Sequence, residues 1–410
     1  DPVDPEFSPP TTGVLADVIA AAPVGWSPFG PPISEILIPQ DWTHPTEGYG
    51  TSSFWMINGS RSVVSAWNGC AWVILDNELW CYIRGGGHAD YAGNEWYRRN
   101  ISQNGDWQRL TFSSEMQRVV VDAGEPGYED KSKEILIGKD GRVASGHMYG
   151  SYAQKRPDGP IFGVNAIAAG PMYTDPWQPT AFFWDPRTGK ETPTPLDING
   201  AGGFSNYGGS AWLSNGNLFF GTEGSSRIYT SDVSAILSGH GGDMGYAIAY
   251  DPGTRTVVGG LKTGIPVAAL NAGETSVASY RVVGATEELH NAGVVSRGSG
   301  VFDIISATGK IHRIDTKDDT VEVIEFPNAP VTHRLLNKVY RVTNDAYIVL
   351  PSDHNQPMHV LKFGGSGGEQ EPVPNPPSPN PDGTIAFGDI DGLIAQGVLS
   401  DYVDLGGDSV

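Results

Sequence analysis

Five of the nine histidines fall at recurring positions in the chain. His147, His290 and His333 each stand just ahead of a series of short apolar runs, and His88 and His354 lie in loops after the second run of such a series. Tyr149, Tyr207 and Tyr246 occupy the same leading positions, and Arg334 follows His333. A histidine near its ordinary pKa can serve as a base, a ligand or a hydrogen-bond donor. His88 stands out further. It follows Gly85-Gly86-Gly87, which can hold its backbone in a tight turn, and Asp90, Tyr91 and Asn94 surround it. The candidate catalytic residues are therefore His88, His147, Tyr149, Tyr207 and Arg334. The candidate ligand contacts are Asp90, Tyr91, Asn94, His290, His333 and His354. Trp67, Trp107, Trp177 and Trp212 read as core rather than as sugar platforms.

Short strands must position these rings. From Ala66 to Leu110, Gly69 to Val73 and Glu78 to Arg84 alternate around a turn near Asp76-Asn77, which is a hairpin signal. The three glycines end the second arm. Glu95 to Arg98 and Trp107 to Leu110 read as third and fourth strands. Cys70 and Cys81, the only cysteines, sit on the two arms. A turn over Ile74 to Asn77 sets them face to face and allows a disulfide; a turn at Asp76-Asn77 alone leaves them diagonal and free.

This strand-strand-GG-loop-Tyr-Trp unit resembles a kelch repeat, one four-stranded blade of a β-propeller, as in the central domain of galactose oxidase. The resemblance is good in this unit and partial elsewhere. Later units open near residues 147, 207, 245, 290 and 333, at spacings of 80, 60, 38, 45 and 43. Blades recur at about 40–50 residues. The expected fold is all-β: a propeller of six or seven four-stranded blades, with seven the first choice. The two long gaps then hold loops or a poorly marked blade. Thr51 to Met56 and Arg61 to Ala66 read as strands that close the ring. No useful helical period interrupts this span.

The resemblance implies that the leading rings converge on one end of the channel. It also implies a structural alternative, because kelch blades use buried His or Tyr to tie loops to neighbouring blades. A copper radical oxidase needs a Tyr–Cys pair, a second Tyr and two His; two cysteines in one hairpin and no Tyr-His dipeptide argue against it. Propeller-fold polysaccharide lyases, including those acting on ulvan, are similar in fold and in using His and Tyr with an Arg. That likeness implies an Arg that neutralises a uronate carboxylate, a His or Tyr that removes the C5 proton and a Tyr that protonates the leaving oxygen. The preferred reading is a non-catalytic module for carbohydrate binding, adhesion or assembly, outside the cell: secreted, or on a virion or other surface appendage. Its partners are glycans or neighbouring subunits. Pro-rich arms favour it, since such arms order on a partner.

Composition narrows the partners. Twenty-six basic against 47 acidic residues leave a net charge of −21, the wrong sign for phosphate backbones or anionic lipid. No apolar run approaches the ~20 residues of a membrane span. Glycine (54) and proline (31) suit many short strands joined by turns. Opening on Asp1 rather than Met leaves room for a missing leader, initiator or tag. Residues 1–45 form a Pro-rich arm, weakly helical from Gly13 to Ala22. The propeller spans 46–363, a Gly/Pro linker 364–381 and an acidic segment 382–410. There Asn380, Asp382 and Asp389, with Gly383, match EF-hand loop positions if Ser378 is the first, and resemble half of a dockerin-type calcium repeat. Calcium is thus the one candidate cofactor.

Overall fold

The computed structural model describes residues 13–39, 59–86, 91, 93–121, 133–145, 149–155, 159–165, 180–195, 208–222, 224–330 and 332–364. The chain is an all-β propeller of six four-stranded antiparallel blades. Blade 1 comprises Ala71–Leu75, Glu78–Arg84, Trp96–Asn100 and Trp107–Arg109. Blade 2 comprises Ala153–Gln154, Ile161–Asn165, Thr180–Asp185 and Lys190–Pro195. Blade 3 comprises Gly208–Trp212, Leu218–Thr222, Ser226–Tyr229 and Ile236–His240. Blade 4 comprises Ile248–Asp251, Thr256–Gly259, Ile265–Leu270 and Val277–Val283. Blade 5 comprises Gly293–Gly298, Val301–Ile305, Ile311–Asp315 and Thr320–Ile324. Blade 6 takes Val339–Thr343, Ala346–Val349 and Met358–Lys362 from the end of this span and Gly25–Phe29 from the N-terminal arm.

The first strand of each blade packs on the first strand of the next from blade 1 through blade 6, so these strands line the axis. The last strands face outward; Thr320–Ile324 and Ile236–His240 are largely exposed. The core lies between blades. Trp96 of blade 1 stacks on Trp184 of blade 2 at 4.6 Å, with Phe182 and Tyr152 edge-on beside it. A buried ion pair crosses the same interface: Arg84 Nε and Nη2 reach Glu191 at 3.2 and 3.1 Å.

Six blades, not seven, complete the ring. Beyond blade 1 itself, the 80-residue spacing holds, among the described residues, a two-stranded hairpin, Met116–Val121 with Lys133–Gly138, between blades 1 and 2. The expected closing strands also differ. Gly59–Arg61 is a 3-10 turn and Ser62–Ser65 a short helix, with Ser62, Val63 and Val64 all buried, so the local burial is continuous rather than alternating. Thr51 to Met56 lies outside the described residues. Gly25–Phe29 fills the place instead, antiparallel to Met358–Lys362. Pro28 fits there because an outermost strand can lack a ladder donor.

The rest of the arm straps this joint. Helix Val14–Ala21 buries Leu15, whose amide donates to Ser102 O of blade 1 at 3.2 Å. Lys362 of blade 6 donates to Ile19, Ala20 and Ala22 carbonyls at the helix end. Arg99 of blade 1 lies over Phe29 at 4.6 Å and donates to its carbonyl.

In blade 1 the turn is the tight one. Leu75 pairs with Glu78, and Asp76 and Asn77 have φ of 53° and 62°. Trp72 faces Cys81, so Cys70 is diagonal to it and both thiols are free and buried. Burial raises the Cys81 pKa well above that of an ordinary thiol, with Cys70 adding to the shift.

Candidate functional site

Blade topology sorts the candidate residues by end. In a four-stranded antiparallel blade, the entry to strand one and the link from strand two to strand three lie at the same end. Trp67, Tyr149, Tyr246, His290, His333 and Arg334 precede first strands, and His354 lies in a strand-two-to-three link. All therefore occupy one end face of the propeller.

Several of them meet. Tyr149 and Tyr246 have ring centroids 4.5 Å apart, and Tyr246 and His290 3.9 Å. Tyr149 leads blade 2, Tyr246 blade 4 and His290 blade 5, so this row crosses the channel end. The backbone follows the same path. Tyr149 N donates to Trp67 O at 3.0 Å, and Gly150 N to Tyr246 O at 3.1 Å. A Cβ on Gly150 would lie 2.2 Å from Tyr246 O, which is why glycine stands there. Tyr149 and Tyr246 are buried, with Leu289 and Leu336 in the same apolar cluster.

Across the joint between blades 6 and 1, the Arg334 guanidinium carbon sits 3.5 Å from the centre of the half-buried Trp67 ring, and Nη1 donates to Ser65 O at 2.7 Å. The planar guanidinium is thus held by stacking and by a carbonyl. Lys338, fully buried below, donates Nζ to Val64 O at 2.6 Å. Burial is the main cause lowering its pKa to about 7. Exposed His333 has a pKa lowered first by desolvation, then by the Arg334 and Lys338 charges. His354 is lowered first by desolvation and also by Arg61, while Asp353, 3.6 Å from its Nδ1, acts in the opposite direction. Both imidazoles are therefore biased toward the neutral form near pH 7. A chain of charge −21 thus gathers Arg61, Arg334 and Lys338 on one joint.

Tyr91 and Asn94, in the strand-two-to-three link of blade 1, lie at the same end and are fully buried. Tyr91 and Tyr97 hydroxyls donate to Glu95 Oε1 at 2.9 and 2.8 Å, and Ser113 donates to Oε2. Asn94 Nδ2 donates to Ser114 Oγ and Val143 O, and its Oδ1 accepts from Ser114 N. These side chains face protein partners. His88, Asp90, His147, Tyr207, Asn380, Asp382 and Asp389 lie outside the described residues. Among the described residues no group of three or more His, Cys, Asp or Glu could hold a metal ion.

Trp67, a core residue by type, packs half-buried against the Tyr149–Tyr246 cluster and also carries Arg334 on its ring. The signal lay in spacing: Trp67 and Tyr149 each stand four residues before their first strand, with φ of 45° and 43°. Lys338 and Asn337 carry no such mark.

No protein-family model matches the chain, and no curated protein matches it in sequence. Among solved structures, U3-55K and the WD40 repeats of RRP9 align with TM-scores of 0.37 at 12% identity, each over 49% of this chain. The alignments span 57% and 56% of those chains, just over half their length. BamB from Moraxella catarrhalis aligns over 75% of this chain and 88% of its own, with a TM-score of 0.39 and 12% identity. No helix among the described residues is long and apolar enough to cross a membrane. The assignment of the chain to the β-propellers rests on its six blades.

Proposed function

We propose that the propeller is a carbohydrate-binding module, serving adhesion or assembly outside the cell, and that its ligand sits on the end face over the joint between blades 6 and 1. The observation that carries this reading is Arg334 stacked on Trp67 at 3.5 Å, with His333 beside it and His354 in the adjoining loop of the same blade. A guanidinium stacked on an aromatic ring and neighbouring imidazoles are the kinds of polar groups that hydroxyl-rich ligands need. Net charge −21 disfavours nucleic acid as the partner. The test is calorimetric titration with a panel of neutral and acidic oligosaccharides, on the wild type and on Arg334→Met. Binding that Arg334→Met weakens tenfold or more supports the reading; binding indifferent to Arg334 overturns it.

A second reading, a polysaccharide lyase, is favoured by one feature: His333, biased toward its neutral form by desolvation and by the Arg334 and Lys338 charges, adjoins a guanidinium. In that reading Arg334 holds a uronate carboxylate and His333 takes the C5 proton. The electron pair forms the C4=C5 double bond as the C4–O bond breaks, and the leaving oxygen takes a proton from a second donor. The unsaturated product absorbs in the ultraviolet. Incubation with uronate polymers, repeated with His333→Ala, decides between lyase and module.

A further inference from the structure

We propose that residues 14–38 form an exchangeable strap, and that two copies of the chain pair by each seating this segment on the other. The inference is independent of the ligand reading above. Blades 1 to 5 are each built from four strands consecutive in the chain, and the chain itself joins each blade to the next. Among the described strands, the one seam in the ring lies inside blade 6, where Gly25–Phe29 pairs with Met358–Lys362 and no local turn connects the two. The seam is also imperfect. Trp26 Nε1 and Ser27 Oγ are buried there without hydrogen-bond partners, and Pro28 has no amide to donate. The ring therefore opens first at this pair.

The strap and its seat match in charge and in shape. Residues 14–38 carry Asp17 and Glu35 and no Lys or Arg, and the first Lys or Arg of the chain is Arg61. The seat answers with three cations. Lys362 Nζ donates to the carbonyls of Ile19, Ala20 and Ala22 at 2.9, 3.0 and 2.9 Å. Arg99 Nη1 donates to Phe29 O at 3.0 Å, and Arg109 Nη1 to Ile36 O at 2.9 Å. Leu15, Phe29 and Ile33 fill the apolar part of the seat, each 1% exposed. A second copy brings the same segment in the same register, so an exchanged pair remakes every one of these contacts. Monomer and exchanged dimer then differ only in tether and association terms.

Residues 40–58 tether the strap to Gly59, a length that spans roughly 60 Å when extended. Such a tether sets an effective strap concentration of roughly millimolar order, and a second copy competes as the protein approaches it. The charge of −21 repels two copies, and salt screens that repulsion more than it weakens bonds to buried carbonyls. Exchange also reaches the end face. Ser34 N donates to His354 O at 3.1 Å, so in the dimer each strap holds the other copy's His354 loop.

The experiment traps the seam with cysteines in the full chain. Pro28, exposed, and His359, half-buried, are paired across it. The double variant Pro28→Cys, His359→Cys is expected to close a disulfide within the monomer under oxidised glutathione. Chains carrying one substitution each, mixed at ~1 mM in high salt, are expected to yield a dimer cross-linked between positions 28 and 359, at least tenfold less of it at ~10 μM. The pair Ser27→Cys with Val360→Cys repeats the test on the inner face. Lys362→Met removes bonds present in both forms and missing only in the opened intermediate. It is expected to speed cross-linking at least fivefold and to leave the dimer fraction in sedimentation unchanged. Cross-linking within the double variants but none between mixed chains overturns the proposal, as does a dimer without the 28–359 link. A cross-linking rate that Lys362→Met leaves unaltered overturns exchange through this strap. Failure of both double variants to close overturns the seam itself.

Discussion

Asn337 and Cys70 hold each other in both directions across the joint. The Cys70 amide donates to Asn337 Oδ1 at 3.0 Å, and Asn337 Nδ2 returns a bond to the Cys70 carbonyl at 2.6 Å. The same Nδ2 donates to Tyr152 O of blade 2 at 2.9 Å, and the Asn337 carbonyl accepts from Trp72 Nε1 at 2.8 Å. One side chain thus ties blade 6 to blades 1 and 2, and does for the inner strands what the strap does for the outer ones.

Asn337→Ala is expected to destabilise the fold by about 2–4 kcal/mol, since it leaves buried backbone groups without partners. Urea denaturation measures this directly. Gly69→Ala should act on the same contact, because a Cβ there would stand 1.8 Å from Asn337 Oδ1 and 2.4 Å from Tyr149 O. A loss below ~0.5 kcal/mol in both variants, the range of ordinary surface changes, would remove the clamp from the account.

Lys338 gives a pH signature. Its folded pKa, lowered to about 7, lies below the unfolded value, so the unfolded chain binds the extra proton between those limits. Stability therefore rises with pH from about 7 to about 10.4. The penalty is absent above that window and fully present below it, on the order of 4 kcal/mol. Lys338→Met is expected to be more stable than the wild type at pH 6 by roughly 1–3 kcal/mol, after allowing for the lost bond to Val64 O. The difference between the two proteins should shrink as pH approaches 10. A pH-independent difference would contradict the assignment.

The buried pair Arg84–Glu191 predicts an asymmetry. Glu191→Leu strands a fully buried guanidinium between blades 1 and 2 and should cost about 3–5 kcal/mol. The double variant Arg84→Met, Glu191→Leu should recover part of that loss. It cannot recover all of it, because Trp96 Nε1 also donates to Glu191 Oε2 at 3.0 Å. Equal losses in single and double variants would show that the charge itself is unimportant.

Much of the ring was legible because hairpins are local. Alternation around Asp76-Asn77 located the first two strands, and the turn residues, both with positive φ, settled the cysteines as diagonal. Blades 4 to 6 followed from spacing alone. The closing strand was hidden because GWSPF carries a proline, which sequence reasoning assigns to an arm and which only an outermost strand accepts. Arg84 carries no local sign of its partner, because Glu191 lies 107 residues away. The Asn337 clamp spans 267 residues, beyond any local pattern. The end face was partly legible: Tyr149, Tyr246, His290, His333 and His354 were marked by recurrence. Tyr91 and Asn94 share the polar character of that set, yet their side chains bond to Glu95, Ser114 and Val143.

The central claim is that Arg334 over Trp67 marks the ligand site. A crystal structure of the protein with a bound oligosaccharide tests it most directly. The account predicts a sugar oxygen within hydrogen-bond distance of Arg334, about 2.7–3.2 Å, with His333 or His354 contacting further hydroxyls. A saccharide bound instead along the outer strands of the blades, with Arg334 and Trp67 untouched, would contradict it.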